Sequence, residues 1–328
     1  KWLEDVSVLP KELHEGHLRL IQLAVENQVS YPQTLYEFIQ WLHKPIKEWN
    51  LPELSAKFPE EESVLIRYVG LSDFFEEWVE ENSSIEESEQ RVMREILEYC
   101  RSQSPKLEEE YRMIRRFIIE NPVVDYLQLQ VFIQSIKKDF LQEKVRECYE
   151  EISLPYTEIY LCPYCGWTLS KRGQDWECTR WVCKHNSNFE RLEKLQSKHN
   201  HKFWRLTKGI QKYVQNPGIA ELKLARKLEK DGWFVELYPE VDRFDLRIKK
   251  GDAIWDLDVK DYSHPQLLVQ YLNTVDPNKL HDQVIFVIPQ YQNDLHPAYI
   301  DRVRNELGRN LKVMMEKDLL SMLKGVDA

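Results

Sequence analysis

Glycine is scarce in this chain, ten residues in 328. There is no Gly-rich phosphate loop and no dinucleotide-binding Gly motif, so nucleotide-driven and hydride-transfer chemistry have no anchor. Nor is there a Ser-His-Asp arrangement of hydrolase type. No apolar run approaches the ~20 residues that span a bilayer. Ten Trp, sixteen Tyr and twelve Phe argue against general disorder, and a soluble protein is expected. The start, KWLEDVSVLP, has neither an initiator Met nor a signal-peptide pattern, so a fragment or processed end is expected and no export is implied. Six cysteines, four of them clustered, do not make the disulfide framework of a small secreted domain, and a reducing cytoplasm is the expected setting.

What is present is length for two or three domains and an uneven charge. The net charge is -10, yet residues 1–150 carry 18 basic and 30 acidic side chains whereas 169–230 carry 15 basic and 6 acidic. The overall sign speaks against a freely sliding DNA binder, while the local basic excess offers a phosphate-binding strip.

Residues 1–155 read as an all-α domain. Helical periodicity predicts helices over 11–27, 32–43, 60–81, 85–103, 105–120 and 123–150. SSIEESEQ at 83–90 has the Ser and Glu spacing of a capped helix start. Glu60, Glu61, Glu62, Glu76, Glu77, Glu80, Glu81, Glu86 and Glu87 form an acidic patch, readable as a docking surface or as solvated helix faces.

Residues 156–190 hold a different module. Cys162-x2-Cys165 and Cys178-x4-Cys183 are two knuckle-like pairs twelve residues apart, the spacing of a structural zinc ribbon. Gly166 suits the tight turn after the first pair. His185 is an alternative to Cys183 as fourth ligand, and two disulfides or four free thiols are the non-metal alternatives. Cys100 and Cys148 fall in helical-looking segments as buried thiols.

Residues 191–215 read as a basic helical linker in which Phe203, Trp204 and Tyr213 interleave with Lys and Arg. Such a mix serves nucleic acid, or it is the outer face of helices with Leu192, Leu195, Phe203, Leu206 and Ile210 inside. His199 and His201 lack an acid–base constellation and read as surface loop. Asn216-Pro217-Gly218 marks a boundary.

Residues 216–328 are organised around RFDLRIKKGDAIWDLDVKDY, 243–262. Phe244, Leu246 and Ile248 alternate with Asp245, Arg247 and Lys249, Gly251-Asp252 turn the chain, and Asp256, Asp258 and Lys260 share the polar face of the return strand. Two carboxylates that can hold a hard divalent cation, with an ammonium beside them, suit phosphodiester hydrolysis. Glu221 lies on the apolar face of a predicted helix over 219–230, which suits either a role at the site or a helix N-terminal carboxylate favoured by the macrodipole. Around the hairpin, an α-β-β-β-α-β-α-β-α order predicts a mixed sheet flanked by helices.

On Asp245, Asp258-Val259-Lys260 and this order, residues 215–326 resemble the PD-(D/E)XK restriction-endonuclease superfamily. Phe244 stands where the family's proline would. The resemblance implies a restriction-endonuclease-like α/β fold, catalytic Asp245, Asp258 and Lys260 assisted by Glu221, Mg²⁺ or Mn²⁺ at Asp245 and Asp258, and a DNA substrate. Gln266, Gln270 and Tyr271 fall near a Gln/Tyr pair found in some members, with the spacing off by one. Helical part, ribbon and nuclease together are similar to the nuclease of prokaryotic PIWI-type Argonaute islands, which also carry a helicase. That implies a defence role with an Argonaute-like protein or a helicase as partner. The rival expectation is a non-cleaving nucleic-acid-binding adaptor with a degenerate nuclease fold.

Overall fold

The computed structural model describes residues 11–58, 63–67, 70–72, 74–75, 78–79, 90–152, 159–172, 175–178, 180, 182–183, 192–195, 202–277, 280–308 and 310–325. The chain divides into two compact units, 1–83 and 84–328. Among the described residues no helix is long and apolar enough to cross a membrane.

In the first unit, α1 (Lys11–Glu26) and α2 (Leu35–Leu42) follow the predicted periodicity. Thr34 caps α2 and Glu37 bonds back to the Thr34 N–H, which satisfies two otherwise orphaned donors. A short α3 (Pro52–Lys57) follows. Within the helix expected over 60–81, the paired strands β1 (Ile66–Arg67) and β2 (Gly70–Leu71) stand instead, since β-branched and aromatic residues about a glycine favour extended pairing, whereas Phe74, Phe75, Trp78 and Val79 are helical as expected. Phe58, Phe74 and Phe75 pack edge to face beside it. The acidic patch of Glu60 to Glu87 and the predicted cap at Ser83 or Ser84 lie outside the described residues, as do His185, His199 and His201.

In the second unit, α4 (Arg91–Ser102) and α5 (Glu108–Glu120) are the predicted helices, shortened at their starts. The single helix expected over 123–150 is instead β3 (Val123–Asp125), α6 (Tyr126–Ser135), α7 (Asp139–Glu147) and β4 (Tyr149–Glu151). Both strands pair with β9 (Phe203–Leu206) in a three-stranded sheet, order β3-β9-β4. The part is therefore not all-α, and the 191–215 segment is not a plain helical linker. Strands of three or four residues exist only through partners more than fifty residues away, which local propensity does not register. Lys202 and Arg205 on this sheet pair with Glu151 and Glu150, so part of the basic strip is neutralised within the chain.

Between β4 and β9 lie β5 (Tyr160–Leu161), β6 (Ser170–Arg172), β7 (Asp175–Glu177) and β8 (Glu193–Lys194), pairing as β5-β8 and β6-β7. Cys162, Cys165, Cys178 and Cys183 sit in one hydrophobic core with Ile114, Ile118, Leu129, Val214 and Leu222. Cys100 and Cys148 are fully buried in the same core, and burial pushes Cys100 up to about 12.

Nor does Asn216-Pro217-Gly218 end anything. A short helical turn at Lys208–Ile210 and a π-helical turn at Gln211–Gln215 lead directly into α8 (Asn216–Lys230). Proline is tolerated there at the start of α8. Gly218 is the point of closest approach to α5: a Cβ there would lie 2.3 Å from Ile119 Cδ1.

The C-terminal part carries a five-stranded mixed sheet, order β10 (Phe234–Leu237), β11 (Leu246–Lys250), β12 (Ala253–Val259), β13 (Val284–Ile288), β14 (Val313–Met315). The first three strands are antiparallel, and β12-β13-β14 are parallel. Each residue of β13, VIFVI, is buried, as a strand covered on both faces requires. α8 and α12 (Glu316–Lys324) cover one face, where Leu224 and Leu228 meet Leu246, Ile248, Leu257 and Val287. α9 (Pro265–Thr274) and α11 (Tyr299–Glu306) cover the other, with Leu268, Leu272 and Val303 on Phe244, Val284 and Phe286. One helix not foreseen, α10 (Gln290–Leu295), precedes α11.

Candidate functional site

Asp258 and Lys260 lie at the end of β12, where the sheet changes from antiparallel to parallel pairing. Alternation along the strand puts Leu257 and Val259 into the α8 face and turns Asp256 and Asp258 towards the α9 side. Lys260 Nζ is 2.9 Å from Asp258 Oδ1 and 4.8 Å from the centre of the Tyr271 ring. Asp245, just before β11, is brought beside them: its Oδ2 accepts from the Val259 N–H at 2.7 Å. The predicted hairpin thus brings Asp245, Asp258 and Lys260 together.

The polar face of β12 is unevenly buried: Asp258 and Lys260 are partly exposed. Asp256 is 1% exposed and accepts from Arg247 Nε and Nη2 at 2.7 and 2.8 Å, with His281 Nε2 also 2.7 Å away. It is the centre of a separate ion-pair network. Glu221, meanwhile, is not at a helix N-terminus, since helical turns run without a break from Lys208, so the macrodipole explanation fails. It is buried, and its carboxylate accepts from Arg115 Nη2 at 3.0 and 3.3 Å and from the Tyr238 hydroxyl at 2.8 Å.

Arg115 was not anticipated. It comes from α5, one turn before Ile119, and the close crossing at Gly218 sets it opposite Glu221, one turn along α8. A signal was available: Tyr111, Ile114, Ile118 and Ile119 are the buried stripe of α5, and Arg115 falls at i+4 within it. Arg115 Nη1 also donates to Asp242 Oδ2 at 2.6 Å, and Tyr111 OH donates to the same oxygen.

The connection from β10 to Asp245 is strained. Tyr238, Glu240, Val241 and Asp242 all have positive φ, at a cost of order 1–3 kcal/mol for each such residue. Helices α4 and α5 hold it there. Arg101 donates to the Val241 and Asp242 carbonyls, both at 2.9 Å, and Arg112 donates to the Leu237 carbonyl at 2.7 Å.

The electrostatics show a site with excess negative charge. Burial, then Glu221 and Asp258, push Asp245 well above the usual carboxylate range, against the pull of Lys260 and Arg115. Glu221 is raised by burial as well. Burial works against the charged form of Lys260, yet Asp258, Tyr271 and Asp245 together hold it protonated far above its ordinary value. The donor set fits a hard divalent cation. Asp258 commits one oxygen to Lys260, Asp245 commits Oδ2 to the Val259 N–H and holds Oδ1 4.0 Å from Arg115 Nη2, and a cation near the two would relieve the repulsion that raises Asp245. Gln266 is buried on α9, while Gln270 lies at its partly exposed end and Tyr271 faces Lys260.

The cysteine cluster is built differently. Leu161 and Thr168 bridge the base of the first knuckle, the Cys162 N–H donates to Trp167 O at 2.7 Å, and the Gly166 N–H donates to Cys162 O at 2.8 Å. Gly166 has φ +73, a conformation that the turn requires and L side chains rarely adopt. The four sulfurs lie within 4.8 Å of one another, and no disulfide joins them. Four thiolates about 2.3 Å from a tetrahedral zinc stand ~3.8 Å apart. Cys165 Sγ and Cys178 Sγ are 3.7 Å apart, so the residues fit zinc. Among the described residues this is the group of three or more metal-ligating side chains that converges on one point, and Glu221, Asp245 and Asp258 do not form another.

Fold and sites together define a mixed α/β protein with a four-cysteine cluster capable of binding a metal and a partly buried carboxylate–lysine cluster at a strand junction. Residues 218–326 match the family model described as "REase associating with pPIWI_RE". Residues 8–125 match the one described as "pPIWI_RE three-gene island domain Y". No curated protein and no solved structure matches the chain.

Proposed function

We propose that the chain is a metal-dependent endonuclease of PD-(D/E)XK type that hydrolyses DNA phosphodiester bonds. The observation that carries this reading is the meeting of Asp245, Asp258 and Lys260 at the β12 strand junction. A divalent ion held by Asp245 and Asp258 would offset phosphate charge and make a bound water more acidic. Lys260, kept protonated, is placed to orient the attacking water and to stabilise charge growing on the phosphate oxygens. The half-buried setting of Asp258 and Lys260 strengthens both effects relative to open water.

The four cysteines hold a structural zinc, since four thiolates leave no open coordination position. The two family matches support a place in a prokaryotic defence island beside a PIWI-type protein, with a helicase as a further partner. A second reading, a non-cleaving nucleic-acid-binding adaptor, draws on one observation: Arg115 neutralises part of the carboxylate cluster. Incubation of purified protein with plasmid DNA and Mg²⁺ or Mn²⁺, alone and with the island's other proteins, separates the two. Cleavage that disappears in Asp258→Ala and Lys260→Ala is expected, whereas no cleavage by wild type under any of these conditions selects the adaptor.

A further inference from the structure

We propose that Arg115 is a built-in cation of the site, one that keeps Glu221 out of metal coordination and limits the carboxylate cluster to a single divalent ion at Asp245 and Asp258. The inference rests on the nuclease reading and goes beyond it by assigning a residue from outside the hairpin region and an ion count.

The contrast among the carboxylates carries it. Both oxygens of Glu221 are taken: Oε1 and Oε2 by Arg115 Nη2, and Oε2 also by the Tyr238 hydroxyl. Glu221 is 2% exposed, and each of its oxygens already faces a protein donor. Asp258 engages one oxygen, with Lys260, and Asp245 accepts one hydrogen bond, from the Val259 N–H, its other oxygen standing 4.0 Å from Arg115 Nη2. The guanidinium lies 2.6 Å from Asp242 Oδ2, 4.0 Å from Asp245 Oδ1 and 4.4 Å from the centre of the Tyr238 ring, while its buried Nε has no hydrogen-bond partner. A second cation bound through Glu221 would meet the guanidinium at contact distance, where like charges in a poorly solvated site repel strongly.

Charge balance gives the same answer. With all four carboxylates ionised, Glu221, Asp242, Asp245 and Asp258 contribute four negative charges, and Arg115 and Lys260 two positive ones. One divalent ion neutralises the remainder, and two would overshoot it.

Arg115 therefore acts through Glu221 and Asp245 as a positioning residue. A purely structural role makes the opposite prediction for its removal. If Arg115 only props up the fold, Arg115→Met weakens metal binding; if it stands in for an ion, Arg115→Met exposes Glu221 and Asp242 and a second ion binds. The test is Mn²⁺ titration of the zinc-loaded full chain, followed by calorimetry and by the electron paramagnetic resonance of free Mn²⁺. One ion per chain is expected for wild type, and one for Glu221→Gln with affinity within about threefold of wild type. Arg115→Met should bind two. Arg115→Met/Glu221→Gln, which leaves no unpaired Glu221 charge, should return to one. Two ions in wild type overturn the inference and leave the nuclease reading standing, whereas no ion in zinc-loaded wild type overturns that reading. A tenfold or greater loss of affinity in Glu221→Gln overturns the inference even if Arg115→Met fails to fold. A folded Arg115→Met that binds one ion more weakly overturns it too.

Discussion

The cysteine cluster and the carboxylate cluster are both built to meet positive charge, but by opposite routes. The cysteines come from 22 consecutive residues, Cys162 to Cys183, and lie within 4.8 Å of one another. The carboxylate site draws on α5, α8, the strained 238–242 connection and the end of β12, with Arg115 and Asp258 separated by most of the second unit. One is a local chelate, in which binding energy is folding energy. The other is a product of the fold, in which burial and neighbouring carboxylates disfavour the charged form of Asp245. Disturbing the first should therefore collapse structure, and disturbing the second should mainly remove chemistry.

The largest effect is expected from the chelate. Cys165→Ser or Cys178→Ser should abolish zinc binding and the cooperative melt of the 84–328 unit, because structural zinc contributes roughly 10–16 kcal/mol in small zinc modules. Elemental analysis should give one zinc per wild-type chain, and a variant that melts like wild type without zinc breaks the comparison. Next in size, Asp258→Ala, Lys260→Ala and Asp245→Asn should each lower cleavage by orders of magnitude while far-ultraviolet circular dichroism stays native. A variant that loses its fold instead makes the second site as structural as the first.

Asp256 sharpens the boundary, since it lies two residues from Asp258 and serves Arg247 and His281. Asp256→Asn should cost up to about 3 kcal/mol in urea unfolding, because it leaves Arg247 short of its buried partner. Mn²⁺ affinity should stay within a few-fold of wild type. The smallest effect concerns pH. Asp245 and Glu221 bind protons more tightly folded than unfolded, so their contribution to stability is present below the ordinary carboxylate range and is lost as pH rises through their raised values. Melting temperature without Mn²⁺ should accordingly fall over that interval. Saturating Mn²⁺ should flatten the fall, and an unchanged slope argues against ion binding at Asp245.

Much of the C-terminal sheet was legible because its strands carry long-range information in a local pattern. VIFVI has no polar position, so it reads as a strand buried on both faces, and the Gly251-Asp252 turn sets the β11–β12 register with Lys250 opposite Ala253. The knuckle spacing likewise stated four converging sulfurs. The three-stranded sheet β3-β9-β4 left no such trace, because its strands are short and its central member lies more than fifty residues from either neighbour.

What the sequence determined alone is whatever is closed over a few turns of chain: the cysteine chelate, the hairpin, and the spacing of Asp258 and Lys260. Tertiary structure decided how the two aspartates of β12 differ. Alternation places Asp256 and Asp258 on one face, but only the positions of Arg247 and His281 make Asp256 a buried ion-pair centre and leave Asp258 with Lys260. The same holds for Arg115, whose place in the apolar stripe of α5 marks it as partnered without naming the partner. That partner follows from the crossing of α5 and α8 at Gly218, where the absence of a side chain lets the helices approach closely enough for the guanidinium to reach Glu221.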